Sequence, residues 1–291
     1  MAPDHQIEYF PTPLGKSEAN PAHAEIESCA AQILTQALSF AITHLGVKVA
    51  TSRTAPESHP NTSQDVTAPE WKAAKVVRAP PYARVQTKTK NYRGQHWIGR
   101  FSTHPDSAME NSTTFDEMKD GLIRSHATQE GDWAADVHVA HHVLSYPIPN
   151  DGVIDSFTKV EMGIYEMGHK TPPMVSNRLF TVLTVSADVN QQGSIVVSIP
   201  LEVDDFELVH GSLDKRTRKR YTQGRYVAVE YVSRDAGADY TVWSMATSSD
   251  AEGWIPKSLQ RWKAKTIIAE DVPSFLEWRI TQRRISLKAI P

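Results

Sequence analysis

Cysteine is almost missing from this chain. Cys29 stands alone in 291 residues, so no intrachain disulfide can form and a reducing compartment is the natural setting. An excess of one charge is missing too: the formal net charge is −3, which leaves no basic footprint for nucleic acid. No apolar run approaches the length of a membrane span. The opening MAPDHQIEYFPTPLG puts acidic and proline residues where a signal peptide needs a basic start and an apolar stretch. Together these absences predict a cytoplasmic protein, in which the glycosylation-like triplets at Asn61 and Asn111 stay unmodified. There is no P-loop, no dinucleotide-binding glycine turn, no nucleophile elbow and no catalytic cysteine framework. No cofactor is expected, and any chemistry is cofactor-free acid–base work or templating of a reactive conformation.

What is present describes an ordinary globular protein, with 40% hydrophobic and 22% charged residues. Asn20-Pro21 suits a helix start, because Asn caps free amides and Pro at the first helical position sacrifices no hydrogen bond. Ile26, Ala30, Ile33, Leu34, Ala37, Leu38, Ala41 and Leu45 then recur at helical spacing until Gly46. From Thr51 to Pro69 there is almost nothing to bury, which predicts a flexible linker or long loop. The expected organisation is an N-terminal helical segment over 1–50, a linker over 51–74 and one domain over 75–291.

In that domain, Val85, Thr87 and Thr89 alternate with Arg84, Gln86, Lys88 and Lys90, a strand with its charged face to water. Asn91 to Gly94 is a turn, and Trp97, Gly99, Phe101 and Thr103 run back. Thr114-Phe115-Asp116-Glu117 fits a capping box, and a helical or mixed segment is expected from Asp136 to Leu144. Alternating strands follow around Val160 to Ile164, Ile195 to Val203, Val227 to Tyr231 and Thr241 to Thr247. Asp271 caps a last helix, with Pro273 in its first turn and Val272, Phe275, Leu276 and Ile280 as its covering stripe. Arg279, Arg283, Arg284 and Lys288 place positive charge at its negative end. Alternation alone fits a lipocalin-like barrel as well as a sheet wrapped round a helix.

The stretch EMGIYEMGHKTPPMVSNRLFTVL, Glu161 to Leu183, carries a charged turn between two apolar strands. It resembles a signature of a fungal START-like family (helix-grip, Bet v 1/SRPBCC type) of uncharacterised function, in which a Glu-Met-x-His-Lys turn leads to Pro-Pro and an Asn-Arg-x-Phe strand. VWSMATSSDAEGWIP, Val242 to Pro256, resembles the last strand and helix start of START domains, with Glu252-Gly253 where two glycines are common. The resemblance implies an α+β helix-grip fold: a curved antiparallel sheet wrapped around a long C-terminal helix, enclosing an apolar cavity. It also implies a polyketide-, terpenoid- or lipid-like partner. That molecule would be cyclised or isomerised in secondary metabolism, or simply carried by a lipid or sterol transfer protein.

Glu166 is in phase with Val160, Met162 and Ile164 and should turn inward, where a desolvated carboxylate works as an acid or base near neutrality. An ion pair with Arg178 or Lys170 is the plainer role, and the one favoured. His169 and Lys170 at the adjoining turn complete a candidate catalytic set, and Arg178 could hold a polar group of the ligand. Met162, Ile199, Val229, Tyr231, Trp243 and Phe275 are the expected apolar lining, and Trp97, Trp254, Trp262 and Trp278 are core or lid. His138, His141 and His142 have i, i+3, i+4 spacing, but no HExxH or cysteine cluster accompanies them, so a solvated or partly packed face is favoured and no metal site is expected. Lys215 to Arg220, KRTRKR, is favoured as a solvated loop; contact with anionic membrane headgroups, or a nuclear signal, is the functional alternative.

Overall fold

A computed structural model describes residues 23–49, 70–79, 83–109, 112–124, 126–171, 175–201, 212–234, 237–250 and 257–288. The expected linker core, Pro172-Pro173, Gly253 and Trp254 lie outside them. Helix α1, His23–Phe40, runs into a π-helical turn, Ala41–Leu45, closed by Gly46 at φ 69°, a left-handed cap that glycine adopts without strain. The strands are β1 Lys72–Ala79, β2 Ala83–Tyr92, β3 Gln95–Pro105, β4 Val137–Tyr146, β5 Thr158–His169, β6 Arg178–Asn190, β7 Gly193–Pro200, β8 Thr222–Arg234 and β9 Tyr240–Asp250. The helices between and after them are α2 Phe115–Leu122, α3 His126–Trp133, α4 Lys215–Arg218 and α5 Lys257–Lys288.

The nine strands among the described residues join one sheet in the order β1-β2-β3-β9-β8-β7-β6-β5-β4. Neighbours are antiparallel, and a short parallel pairing links the starts of β6 and β8. The β2–β3 hairpin turns through Arg93 and Gly94, both at positive φ, as a tight hairpin matched to strand twist requires. This nine-stranded antiparallel sheet with a long C-terminal helix is the helix-grip fold.

Period-two alternation gives the sheet two chemically different faces. One lies under α1: Ile26, Ile33, Leu34, Ala37 and Phe40 join Trp97, Ile164, Leu183, Val185, Val197, Ile199, Val229 and Tyr231 in one buried cluster. Each large side chain removed from water contributes roughly 1.5–3 kcal/mol against the entropy of ordering it. The N-terminal helix therefore shares the core of the sheet. Cys29 is buried in it and burial pushes its thiol up to about 12, so it is unreactive. The other face meets α2, α3 and α5 through Phe115, Met118, Trp133, Met167, Phe180, Val182, Trp243, Val272 and Phe275. Gly121 lets α2 approach α5 closely, since a Cβ there would stand 2.6 Å from the Phe275 ring.

Several local expectations are corrected. Asp136 to Leu144 is mostly strand, because β4 completes the edge against β5. Its three histidines therefore share no helical face. His138 Nε2 lies 3.1 Å from the Tyr221 hydroxyl, and His142 Nε2 lies 2.7 Å from the Ser145 hydroxyl. No metal-binding group is found among the described residues. Helix α5 starts at Lys257, so Asp271 does not cap it and Pro273 is internal. The apolar stripe of Ile268, Ala269, Val272, Phe275 and Leu276 runs straight past the proline, and packing outweighs the lost backbone bond. Arg283 leaves the helix end to bind Glu117 and the carbonyls of Met109 and Ser112. It thereby clamps the Thr114–Glu117 capping box, which forms as expected. Lys90 does not face water either: it is 3% exposed, with its ammonium over the rings of Trp71, Tyr92 and Phe40. Among the described residues no helix is long and apolar enough to cross a membrane.

Candidate functional site

Alternation decides which of the expected site residues can meet. Glu166 stands opposite Thr181 and His141, on the same side as Ile164 and Leu183, the α1 side. It is fully buried and ion-paired to Arg218, and it accepts the Leu213 amide at 2.6 Å. The partner is thus neither Arg178 nor Lys170: one arginine of the basic run turns inward to anchor α4, while Asp214 caps it. His169, an odd number of residues further on, falls on the α5 side, and Lys170 is exposed past the strand end. The set of Glu166, His169 and Lys170 is therefore split between two faces and the surface. The expected lining divides likewise. Met162, Ile199, Val229 and Tyr231 are under α1, whereas Trp243 and Phe275 face the grip. Tyr231 lies over Gly193, where a Cβ would collide with its hydroxyl. Arg178 is buried in register with His169 and donates to the Ser176 carbonyl.

The α5 side carries instead a cluster of ionisable groups drawn from five elements. Arg100 on β3 is 1% exposed. Its Nη1 donates to the Ile268 carbonyl at 3.2 Å and to Asp271 at 3.3 Å, and its Nη2 donates to Glu230 at 3.3 Å. The guanidinium stacks 3.9 Å from the Trp243 ring centre, and Trp243 Nε1 donates to the same Glu230 oxygen at 2.8 Å. Helix α3 adds Glu130, with its Oε2 3.8 Å from His126 Nε2. At the end of β5, His169 Nδ1 donates to Asp136 Oδ2 at 2.9 Å. His169 Nε2, Arg100 Nε and the Thr184 hydroxyl are buried with no hydrogen-bond partner.

Desolvation dominates the ionisation of these groups. Burial, aided by the charges of Asp136, Glu130 and Glu230, holds Asp271 well above the usual carboxylate range despite Arg100. Burial likewise raises Glu130, against the pull of His126 and His169. Burial opposes charge on His169, but the hydrogen bond and charge of Asp136, with Glu130 and Asp271 behind it, raise its pKa overall. Asp136 is held low by His169 in spite of burial. Burial and the charge of Glu130 push the Tyr226 phenol up; it is hydrogen-bonded to Ser198. His104, beside Arg100, is pushed down to about 4 by burial and stays neutral.

These groups are nonetheless not sealed. Side-chain exposure is 16% for Asp271, 21% for Glu130, 22% for Asp136 and 21% for His169. They are thus strongly desolvated and still reach some accessible surface. A row of small side chains, Gly163, Thr184, Ser198, Ala228 and Thr247, crosses β5 to β9 in register on this side of the sheet, and Ile268 of α5 packs against it at Ala228. The sequence reading missed Arg100, Glu130, Glu230 and Tyr226 altogether and gave Asp271 a capping role. The available signal was phase: Arg100 and Glu230 break otherwise small or apolar runs at positions facing the same side as Trp243.

Solved structures share this architecture, among them two human ones. Human STARD10 superimposes with a TM-score of 0.52 at 12% identity, covering 76% of this chain and 77% of that one. Human StAR-related lipid transfer protein 5 gives 0.55 at 11% identity, covering 89% and 99%. At such identities the likeness is one of fold. No curated protein matches the sequence. Residues 97–279 match the family model described as protein of unknown function (DUF3074), and the chain, a START-like helix-grip protein, belongs to that family.

Proposed function

We propose that the chain encloses a hydrophobic small molecule between the sheet and α5, with the polar end of that molecule against the cluster of Arg100, Glu130, Asp136, His169, Glu230 and Asp271. The observation that carries this reading is the partial exposure of strongly desolvated groups beside a row of small side chains. A sealed core would have filled that row with Leu, Ile or Val, as the opposite face does. Similarity in fold to a human lipid transfer protein supports the same conclusion. Trp243 and Phe275 remain in the proposed lining; Met162, Ile199, Val229 and Tyr231 leave it. Native mass spectrometry of protein purified without detergent tests the reading. A discrete lipid-sized adduct that organic extraction removes is expected. Ligand-free protein that also fails to take up any amphiphile would refute it.

A catalytic reading, cofactor-free cyclisation or isomerisation of the bound molecule, has one specific observation in its favour. Asp136 fixes His169 through Nδ1 and leaves the buried Nε2 without a partner, the arrangement of an oriented acid or base. Glu166 and Lys170 have no part in it. Returning the extracted molecule to fresh protein and following its NMR spectrum decides the matter. Conversion that His169→Gln slows by roughly a hundredfold supports catalysis, and an unchanged spectrum leaves a carrier.

A further inference from the structure

The charged side chains on the α5 side of the sheet are already engaged. Arg100 is shared among Glu230, Asp271 and the Ile268 carbonyl. His169 donates to Asp136, His126 stands 3.8 Å from Glu130, and Lys119 holds Asp188 at 2.9 Å. Arg178, buried in register with His169, donates to the Ser176 carbonyl. A head group carrying charge of either sign would enter this space and find its natural counter-charges taken. Burying a charge without compensation is costly.

The polar group left over in the row of small side chains is a neutral one. Thr184, 6% exposed, lies between Gly163 and Ser198 in that row, and its hydroxyl has no hydrogen-bond partner. Buried hydroxyls in folded proteins are almost always paired. Its polar neighbours in the row are satisfied: Thr247 donates to the Val227 carbonyl at 2.9 Å, and Ser198 is hydrogen-bonded to Tyr226. Ser198 stands opposite Ala228, and Glu230 is the next residue of β8 on that face. Thr184 is therefore two strands, about 10 Å, from the edge of the ionic cluster. The partnerless Nε2 of His169 stands beside Arg178, which precedes Thr184 by six positions on β6, roughly 20 Å of strand. That is too far for one head group to serve both. An alcohol or carbonyl oxygen satisfies the Thr184 hydroxyl and asks for no counter-charge.

We infer that the ligand is an uncharged amphiphile, an alcohol or carbonyl compound on an apolar body, with its oxygen on the Thr184 hydroxyl at the edge of the ionic cluster. This rests on the proposed ligand-binding function and adds the class of the head group and the residue that selects it. The cluster itself acts as a closed polar wall: Arg100 is held by Glu230 and Asp271 and stacked on Trp243, and offers no exchangeable charge to a newcomer. A neutral oxygen gains a hydrogen bond from Thr184 and loses little on leaving water. An ammonium or carboxylate on the same chain loses its hydration and gains no matching charge.

The test uses titration calorimetry on the full chain with three probes of equal chain length, below their solubility and micellar limits: decanol, decanoate and decyltrimethylammonium. Decanol is expected to bind at least about tenfold tighter than either ion. Thr184→Val keeps the shape and removes the hydroxyl, so it should lower decanol affinity by about tenfold, and Thr184→Ser should restore most of the loss. Decanoate binding as tightly as decanol, drawn to Arg178, or the cation doing so, overturns the uncharged head while leaving the ligand-binding proposal standing. Wild-type decanol affinity in Thr184→Val means that a water serves the hydroxyl, and overturns its selecting role. Failure of all three probes overturns the inference and the proposed function together.

Discussion

The two faces of the sheet are built from the same strands, one residue out of step, and they differ in what they do with their interior. Under α1, Ile164, Leu183 and Ile199 stand side by side in register, and a helix of apolar side chains closes over them. Their immediate neighbours along the strands, Gly163, Thr184 and Ser198, face α5 and are small or polar. Beyond them on that face lie Arg100, Glu230 and Asp271. Buried ion pairs contribute little compared with well-packed apolar side chains, and the α1 side has one of its own in Glu166–Arg218. The α5 side gathers several ionisable groups around Arg100 and His169, and it is this density that supports the proposed site.

This contrast can be broken most forcefully by mutation on each side. Leu34→Ala in α1 should cost about 2–5 kcal/mol through lost burial and a cavity. Arg100→Met should cost about 3–5 kcal/mol by stranding Glu230 and Asp271 without their cation. Urea unfolding at pH 7.5 and pH 4 separates the causes: the Arg100 penalty should shrink in acid, where Asp271, held well above the usual carboxylate range, is protonated, and the Leu34 penalty should not change. Equal pH behaviour of the two variants would erase the distinction between the faces.

Next in size is the pH dependence of the wild-type protein. His169 has a raised folded pKa, so its contribution is complete below the ordinary 6.5 and is lost as pH rises through the folded value. Glu130 and Asp271, raised from 4.5 and 3.8, retain protons that the unfolded chain has released, and they too oppose stability as pH rises. Asp136 and Asp188 are depressed, and their contribution fades only as pH falls below the unfolded value of 3.8. The urea midpoint should therefore decline as pH rises above 6.5, and His169→Gln should flatten the decline. A midpoint that climbs there would contradict the pairing of His169 with Asp136.

The smallest effect sharpens the comparison at a single atom. Thr184→Val removes a buried hydroxyl that has no partner and should stabilise the empty protein by about 1 kcal/mol. It should also weaken whatever molecule co-purifies. The equivalent change on the α1 side has no such double consequence.

The fold was legible because its signals are local or periodic. The hairpin at Arg93-Gly94, the Thr114–Glu117 capping box and the alternation of β5 to β9 each follow from short-range physics, and the Glu161 to Leu183 stretch carried the family resemblance. The start of α5 was not legible, because Pro273 sends a strong stop signal that packing of Ile268 and Ala269 overrides. Much of the candidate site was hidden for a different reason. Glu166 and His169 are close in sequence, yet alternation sends them to opposite faces; Arg100, Glu230 and Asp271 are far apart in sequence and meet only through sheet order. Burial of Glu166 and its role in an ion pair could be read from phase, but its partner Arg218 arrives from a loop whose path no local pattern reveals.

The central claim is that a ligand occupies the α5 side of the sheet and not the α1 side. Photolabelling tests it most directly. Decanol carrying a diazirine at the chain end is bound to the full chain and irradiated, and the adducts are assigned residue by residue by tandem mass spectrometry. Labels on α5-facing positions such as Tyr226, Ala228, Met245 or Ile268, competed away by unlabelled probe, are the expected result. Competable labels on Ile33, Leu34, Ile199 or Val229, under α1, would contradict the account.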